Sequence, residues 1–186
     1  MKPILTIRYD EFKVAEYLQN KLGKDYFVTF PTSENQKNFD FILGSYKSNK
    51  CLKFQVKSSR SYEYNKSEKN VDTYGNMNSF FNKFKYEKEY ANFYIFSILY
   101  IDRNYIKGKM LKSWEHKFLL FKDKEMKLFL KSLRKKDGGK ENKFYIRFSE
   151  SNSNLIFLTR GVKGKPKSLK KYYLYNYFDL LKKKMI

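Results

Sequence analysis

One cysteine, one histidine and three prolines are all that this 186-residue chain carries of the residues most used for cross-links, metal clusters and rigid turns. With Cys51 alone there is no intramolecular disulfide, which fits a reducing compartment, and the residue reads as a small half-buried strand position. With His116 alone there is no multi-histidine metal site within one chain, and little ground for a histidine-dependent triad. His116 stands beside Trp114 and Glu115, ahead of an apolar run, and reads as a surface residue. Glycine-rich phosphate loops ending in GK[ST] and Cys/His zinc sets are missing too. No apolar run approaches the ~20 residues of a membrane span, and no signal peptide is visible, so a cytoplasmic protein without a membrane partner is expected.

The scarcest class is acid. Asp and Glu number 19 against 40 Lys and Arg, a formal charge of +21. Charge of that size on one body attracts polyanions, nucleic acid first and an anionic membrane surface second. An A·T-rich genome would account for Lys in place of Arg, but not for the want of acids. Aromatic residues make up 19% of the chain, which sets it apart from a charged disordered tail. The length suits one domain, residues 1–186, around a single substantial core.

The stretch Asn38 to Ser59, NFDFILGSYKSNKCLKFQVKSS, reads as two short strands joined by a polar turn. Phe39 and Phe41 alternate with Asp40 and Ile42, and Gly44–Lys50 supplies turn residues. Beyond the turn Leu52, Phe54 and Val56 share one face, and Lys53, Gln55 and Lys57 the other. A turn centred on Lys47-Ser48 sets Asp40 opposite Gln55, and one centred on Ser48-Asn49 sets it opposite Lys57. Either register gathers Asp40, Gln55 and Lys57 on one face, where cross-strand Cβ atoms lie about 4.5–5.5 Å apart. Such a cluster is either a site or a solvated hairpin.

Upstream, Pro3–Leu22 reads as a helix with Ile4, Ile7, Ala15, Leu18 and Leu22 on one stripe, closed by Gly23. Glu11 holds a place in that stripe where an apolar side chain belongs, which is costly unless the carboxylate is paired or binds a metal. Glu16 falls at the stripe's edge. Asp25–Pro31 reads as a strand, and Arg60–Asn78 as a loop, either a substrate-contacting flap or disordered. Phe80–Tyr90 is expected to be helical, with Phe80, Phe81 and Phe84 inward. Asn92–Ile101, continuously apolar, is expected to be a central strand buried on both faces. A mixed α/β sheet with flanking helices follows. Further on come a strand at Lys117–Phe121, an amphipathic helix at Lys124–Lys135 and a linker at Lys135–Asn142. A hairpin of Phe144–Phe148 with Leu155–Thr159, a basic turn at Gly161–Lys167 and a final helix at Leu169–Met185 complete the chain. The run Lys182-Lys183-Lys184 reads as a solvated helix end that adds phosphate contacts.

Asp40 followed by Gln55-Val56-Lys57 and Ser58-Ser59 resembles the core motif of the PD-(D/E)XK nuclease superfamily, over the part of the chain up to Arg60. Two positions depart from it. Phe39 stands where the motif's name has Pro, and Gln55 where Asp or Glu is usual, which removes one charge. The resemblance implies an αβββαβ, restriction-endonuclease-like core over residues 1–103, elaborated over 104–186. It implies a metal-dependent DNA endonuclease with Glu11, Asp40, Gln55 and Lys57 as its catalytic set. Mg²⁺, or Mn²⁺ as its substitute, would be held by Asp40, the Gln55 amide oxygen and the backbone carbonyl of Val56, with Glu11 direct or through water. The family's helix carboxylate faces the sheet, which suits Glu11 better than Glu16. Lys57 would activate water or stabilise developing charge. DNA is the implied partner, and a homodimer would allow both strands to be cut. The alternative is a basic nucleic-acid-binding protein without catalysis.

Overall fold

The structure, a computed structural model, describes residues 9–31, 39–63, 71–84, 91–106, 109–134 and 142–186. The period-two alternation of Cys51–Lys57 and the continuous apolar run of Asn92–Ile101 become long strands, and stripes of period three and four the helices. In chain order these are α1 (Tyr9–Leu22), β1 (Tyr26–Thr29), β2 (Phe41–Ser45), β3 (Cys51–Glu63), α2 (Val71–Tyr74) and β4 (Met77–Phe84). Then follow β5 (Phe93–Ile106), β6 (Lys109–Lys122), α3 (Asp123–Lys131), β7 (Asn142–Phe148), β8 (Ile156–Arg160), β9 (Lys167–Ser168) and α4 (Phe178–Met185). The architecture is mixed α/β, and the described residues form four α-helices on a nine-stranded sheet.

Strand order is β1-β2-β3-β4-β7-β8-β9, with β5 on the other side of β3 and β6 beyond it. Among the described residues only β3 and β5 run parallel. The β2–β3 register sets Phe41 against Phe54 and Leu43 against Leu52, and continuing it one residue sets Asp40 against Gln55. Parallel pairing then lays Phe54 beside Phe93. The three rings stack across three strands, centroids 4.9 and 5.2 Å apart. A slip of two residues would break this stack, so it selects the first of the two registers open from sequence.

Each sheet face carries its own core. On one, Val14, Leu18 and Leu22 of α1 and Leu181 and Met185 of α4 pack on Phe41, Phe54, Val56, Ile95 and Leu120. On the other, Phe96, Ile98, Leu119 and Phe121 meet Met126 and Phe129 of α3, together with Phe81, Phe144 and Leu158, because the β4–β7–β8 half curls over. The expectation of a central strand at Asn92–Ile101 holds: β5 is flanked on both sides, and Phe93 to Ile98 are buried.

Several expectations are corrected. Phe80–Tyr90 was expected to be helical, but Met77–Phe84 is a strand; residues 85–90 lie outside the described ones. Adjacent aromatics fit either period, and pairing with distant β7 decides, setting Phe81 against Phe144 and Phe80 against Tyr145. Where an αβββαβ order has its second helix, the described residues form the four-residue α2 and β4. Within the expected Arg60–Asn78 loop, β3 continues to Glu63, α2 intervenes and β4 begins at Met77. Leu169–Met185 is not one helix. Tyr173 is extended (φ −55°, ψ 133°) and bridges to Leu119, leaving short 3₁₀ turns before α4. Cys51 is exposed rather than half-buried. Residues 135–141 of the expected linker lie outside the described ones. Among the described residues no helix is long and apolar enough to cross a membrane.

Phe96 is fully buried and touches the rings of Phe81, Phe121, Phe129 and Phe144. Phe96→Ala should cost about 3–5 kcal/mol of stability, read as a lower urea midpoint at unchanged slope.

Candidate active site

β3 changes partner along one edge. It pairs with β2 as far as Phe54 and with β4 from Ser61 onward. Between them lies a notch, and the hairpin residues singled out by sequence border it. At its lower lip the Asp40 backbone N–H donates to Phe54 O (2.7 Å), and the Val56 N–H donates to Asp40 Oδ2. That N–H lies in the plane of the sheet, so the carboxylate sits where β2 would have supplied its next acceptor. In an extended residue the C=O points to the same edge as the N–H, so the Val56 carbonyl opens into the notch too. At the upper lip the Ser59 hydroxyl donates to Phe80 O at 2.8 Å.

Gln55 and Lys57 are both half-buried on β3, about 6.6 Å apart along the strand. They alternate with buried Phe54 and Val56 and therefore project from the face opposite to α1. Asp40, Gln55, Val56 and Lys57 are brought together as sequence anticipated. Glu11 is not placed on that face. It is half-buried in the first turn of α1, in line with Val14, Ala15 and Leu18, on the helix that covers the Phe54–Val56 side. Glu16 is exposed and paired with Lys13 at 2.8 Å, so Glu11 is the one in the core-facing stripe. Among the described residues no three His, Cys, Asp or Glu side chains converge as a metal-holding group. The oxygens offered at the notch's lower lip are the Asp40 carboxylate, the Gln55 amide and the Val56 backbone carbonyl.

The surroundings are basic. Lys53 Nζ lies 5.2 Å from the Phe39 ring, on the face of Gln55. Its backbone exchanges bonds with Asn92, whose Oδ1 accepts from Lys53 N at 2.7 Å and whose N–H donates to Lys53 O at 2.9 Å, fixing the start of β5. Next to it a cleft of about 540 Å³ is lined by Lys122, Lys124 and Lys184 with Asp123. Asp123 is taken up by Lys127 at 2.6 Å.

His116 is the residue sequence reading missed. It is not a surface residue ahead of a strand but lies within β6, with its side chain 9% exposed. Period two along Trp114, His116, Phe118 and Leu120 was the available signal, since it aligns His116 with two buried neighbours. Its Nδ1 lies 3.1 Å from Ser97 Oγ and 3.9 Å from Asp10 Oδ1, so both approach one nitrogen and form no relay. Burial pushes the imidazole below its usual 6.5, against the pull of Asp10, and Lys13 pushes it the same way.

Comparison with family models, with curated proteins and with solved structures finds no match to this chain.

Protonating His116 is harder in the folded chain than in the unfolded one, so stability falls as pH drops below 6.5 and levels off past the depressed folded pKa. The melting temperature should fall between about pH 7.5 and about pH 5.5, and His116→Gln should flatten that fall. Equal slopes for both proteins would refute the assignment.

Proposed function

We propose that this chain is a metal-dependent endonuclease that hydrolyses DNA phosphodiester bonds, on the PD-(D/E)XK pattern its hairpin resembles. The carrying observation is the Asp40 carboxylate held against Val56 N–H, beside Gln55 and Lys57, where β3 changes partner. The order α1, β1, β2, β3, then β5 parallel to β3, supports that core, with α2 and β4 among the described residues of the crossover.

The donors at the notch are all oxygens, the set Mg²⁺ takes. A carboxylate has about four lone-pair sites, and Val56 N–H uses one of those on Asp40. Asp40, Gln55 Oε1 and the Val56 carbonyl would hold Mg²⁺, or Mn²⁺ in its place. The ion would polarise the scissile phosphate and lower the pKa of a bound water. Lys57 orients the attacking water and offsets the charge that grows on the phosphoryl oxygens. Glu11 joins only by reaching past the free edge of β3. The charge of +21 draws the DNA in. One notch cuts one strand, so double-strand cleavage requires a homodimer or successive nicks.

The uncharged Gln55 and the helix-side placement of Glu11 favour a second reading, a basic DNA-binding protein without catalysis. Plasmid nicking in Mg²⁺ against EDTA separates the two. Asp40→Asn and Lys57→Ala should each slow nicking on the order of 10²–10³-fold, Lys57→Ala with duplex affinity nearly unchanged. Gln55→Glu should be tolerated, and Glu11→Gln should impair more than Glu16→Gln. Wild-type rates in both the Asp40 and Lys57 variants would leave only the binding reading. Binding itself should weaken with a log–log salt slope of about −0.9 for each phosphate contacted.

A further inference from the structure

Beyond the notch, β3 continues into the curled half of the sheet, and one row of side chains crosses its outer face. Phe80 on β4 is paired with Tyr145 on β7, and Tyr145 with Arg160 on β8. Ser61 pairs with Ser79, so the register continued one residue sets Arg60 of β3 beside Phe80. The row thus reads Arg60, Phe80, Tyr145, Arg160 across four strands. It lies on the side opposite to buried Phe81 and Phe144.

Its geometry is that of a stack. The Phe80 and Tyr145 rings lie 4.5 Å apart at 29°, and the Arg160 guanidinium is 5.6 Å from the Tyr145 centroid. Both rings are half-buried, and both arginines are exposed. The neighbouring row on the same face is different. There Asn78 and Arg147 are buried, with Arg147 bonded to Gly75 O at 2.9 Å beside Tyr74 of α2. The half-buried row is the one that borders the notch: Arg60 follows Lys57 by three residues on the same strand, so it stands at the notch's upper lip on the face opposite to Lys57.

An aromatic cross-strand pair by itself is ordinary sheet stabilisation. Two features go further. The pair is flanked at both ends by guanidinium groups, which contact phosphate and also stack on bases, and no acidic residue belongs to the row. Aromatic faces accept any base, but only one that is unpaired, since duplex bases already stack on each other. We infer that the Arg60–Phe80–Tyr145–Arg160 row is a binding surface for the unpaired bases of a single-stranded segment beside the notch. The Arg160 guanidinium occupies the ring face that a base would take, and on binding it turns to the neighbouring phosphate. This rests on the nucleic-acid reading above and adds the substrate class: branched, frayed or single-stranded DNA in preference to closed duplex.

The test is fluorescence polarisation with a labelled oligothymidylate and a blunt duplex of equal length, in EDTA so that nothing is cut. Phe80→Leu with Tyr145→Leu should weaken single-strand binding about tenfold or more while duplex binding stays within about twofold. Tyr145→Phe should keep single-strand binding. Arg60→Gln with Arg160→Gln, which leaves the core untouched, should weaken it more than the charge-matched Lys163→Gln with Lys165→Gln on the turn after β8. This arginine pair decides the matter if the leucine pair does not melt cooperatively. Equal losses on single strand and duplex, or equal losses for the arginine and lysine pairs, would overturn the proposal. If the wild type never nicks DNA yet the row binds single strands as described, the nuclease reading fails and this surface stands.

Discussion

A strand edge offers each backbone N–H and C=O to one neighbour at a time, and here a single edge is shared by two. β3 needs β2 for its first residues and β4 for its last. The two partners diverge in opposite directions, so the residues between them must find other company. Leaving a buried amide unpaired costs about as much as a lost hydrogen bond. The chain meets this with side chains: Asp40 accepts from Val56, and Ser59 donates to the backbone of Phe80. Asp40, one of the two groups that close the notch, is also the centre of the proposed site.

What holds the notch open is packing rather than charge. The ion pairs Lys13–Glu16, Lys127–Asp123 and Arg103–Glu63 are all partly exposed, and such pairs contribute about 0–1 kcal/mol each. The aromatic cores on the two sheet faces do more, because a fully buried Phe stabilises by about 1.5–3 kcal/mol relative to an exposed one. A body with a net charge of +21 repels itself. The stacks of Phe41, Phe54 and Phe93 on one side, and of Phe81 and Phe144 on the other, oppose that repulsion. They do so without acids that would also repel a polyanion.

The division of labour along β3 follows from its length. Thirteen residues of strand carry two faces and two edges past several neighbours. Its early residues bury Phe54 and Val56 under α1. Its middle offers Gln55 and Lys57 to the notch, and its end carries Arg60 to the row with Phe80 and Tyr145. The proposed site and the proposed base-stacking row therefore share one rigid element, which fixes their spacing better than loops could.

The local pattern of the sequence was enough to place the hairpin, the faces of β3 and the stripe on α1. Each depends on periods of two or three to four residues that neighbouring side chains display directly. It was enough, too, for the clustering of Asp40, Gln55 and Lys57, because both registers left them on one face. It could not choose between those registers. Phe93 lies far along the chain, and its ring against Phe54 makes the choice. Nor could it tell that Phe80 and Phe81 belong to a strand, since two adjacent aromatics satisfy either period until Tyr145 and Phe144 arrive from β7. His116 looked exposed among polar neighbours and is buried because α1 lies over β6, with Tyr9 and Tyr17 against His116 and Phe118. Glu11 was legible as a stripe residue, but which sheet face its helix would cover was not. That face is set by where Phe54 and Val56 point, and only the assembled sheet decides it.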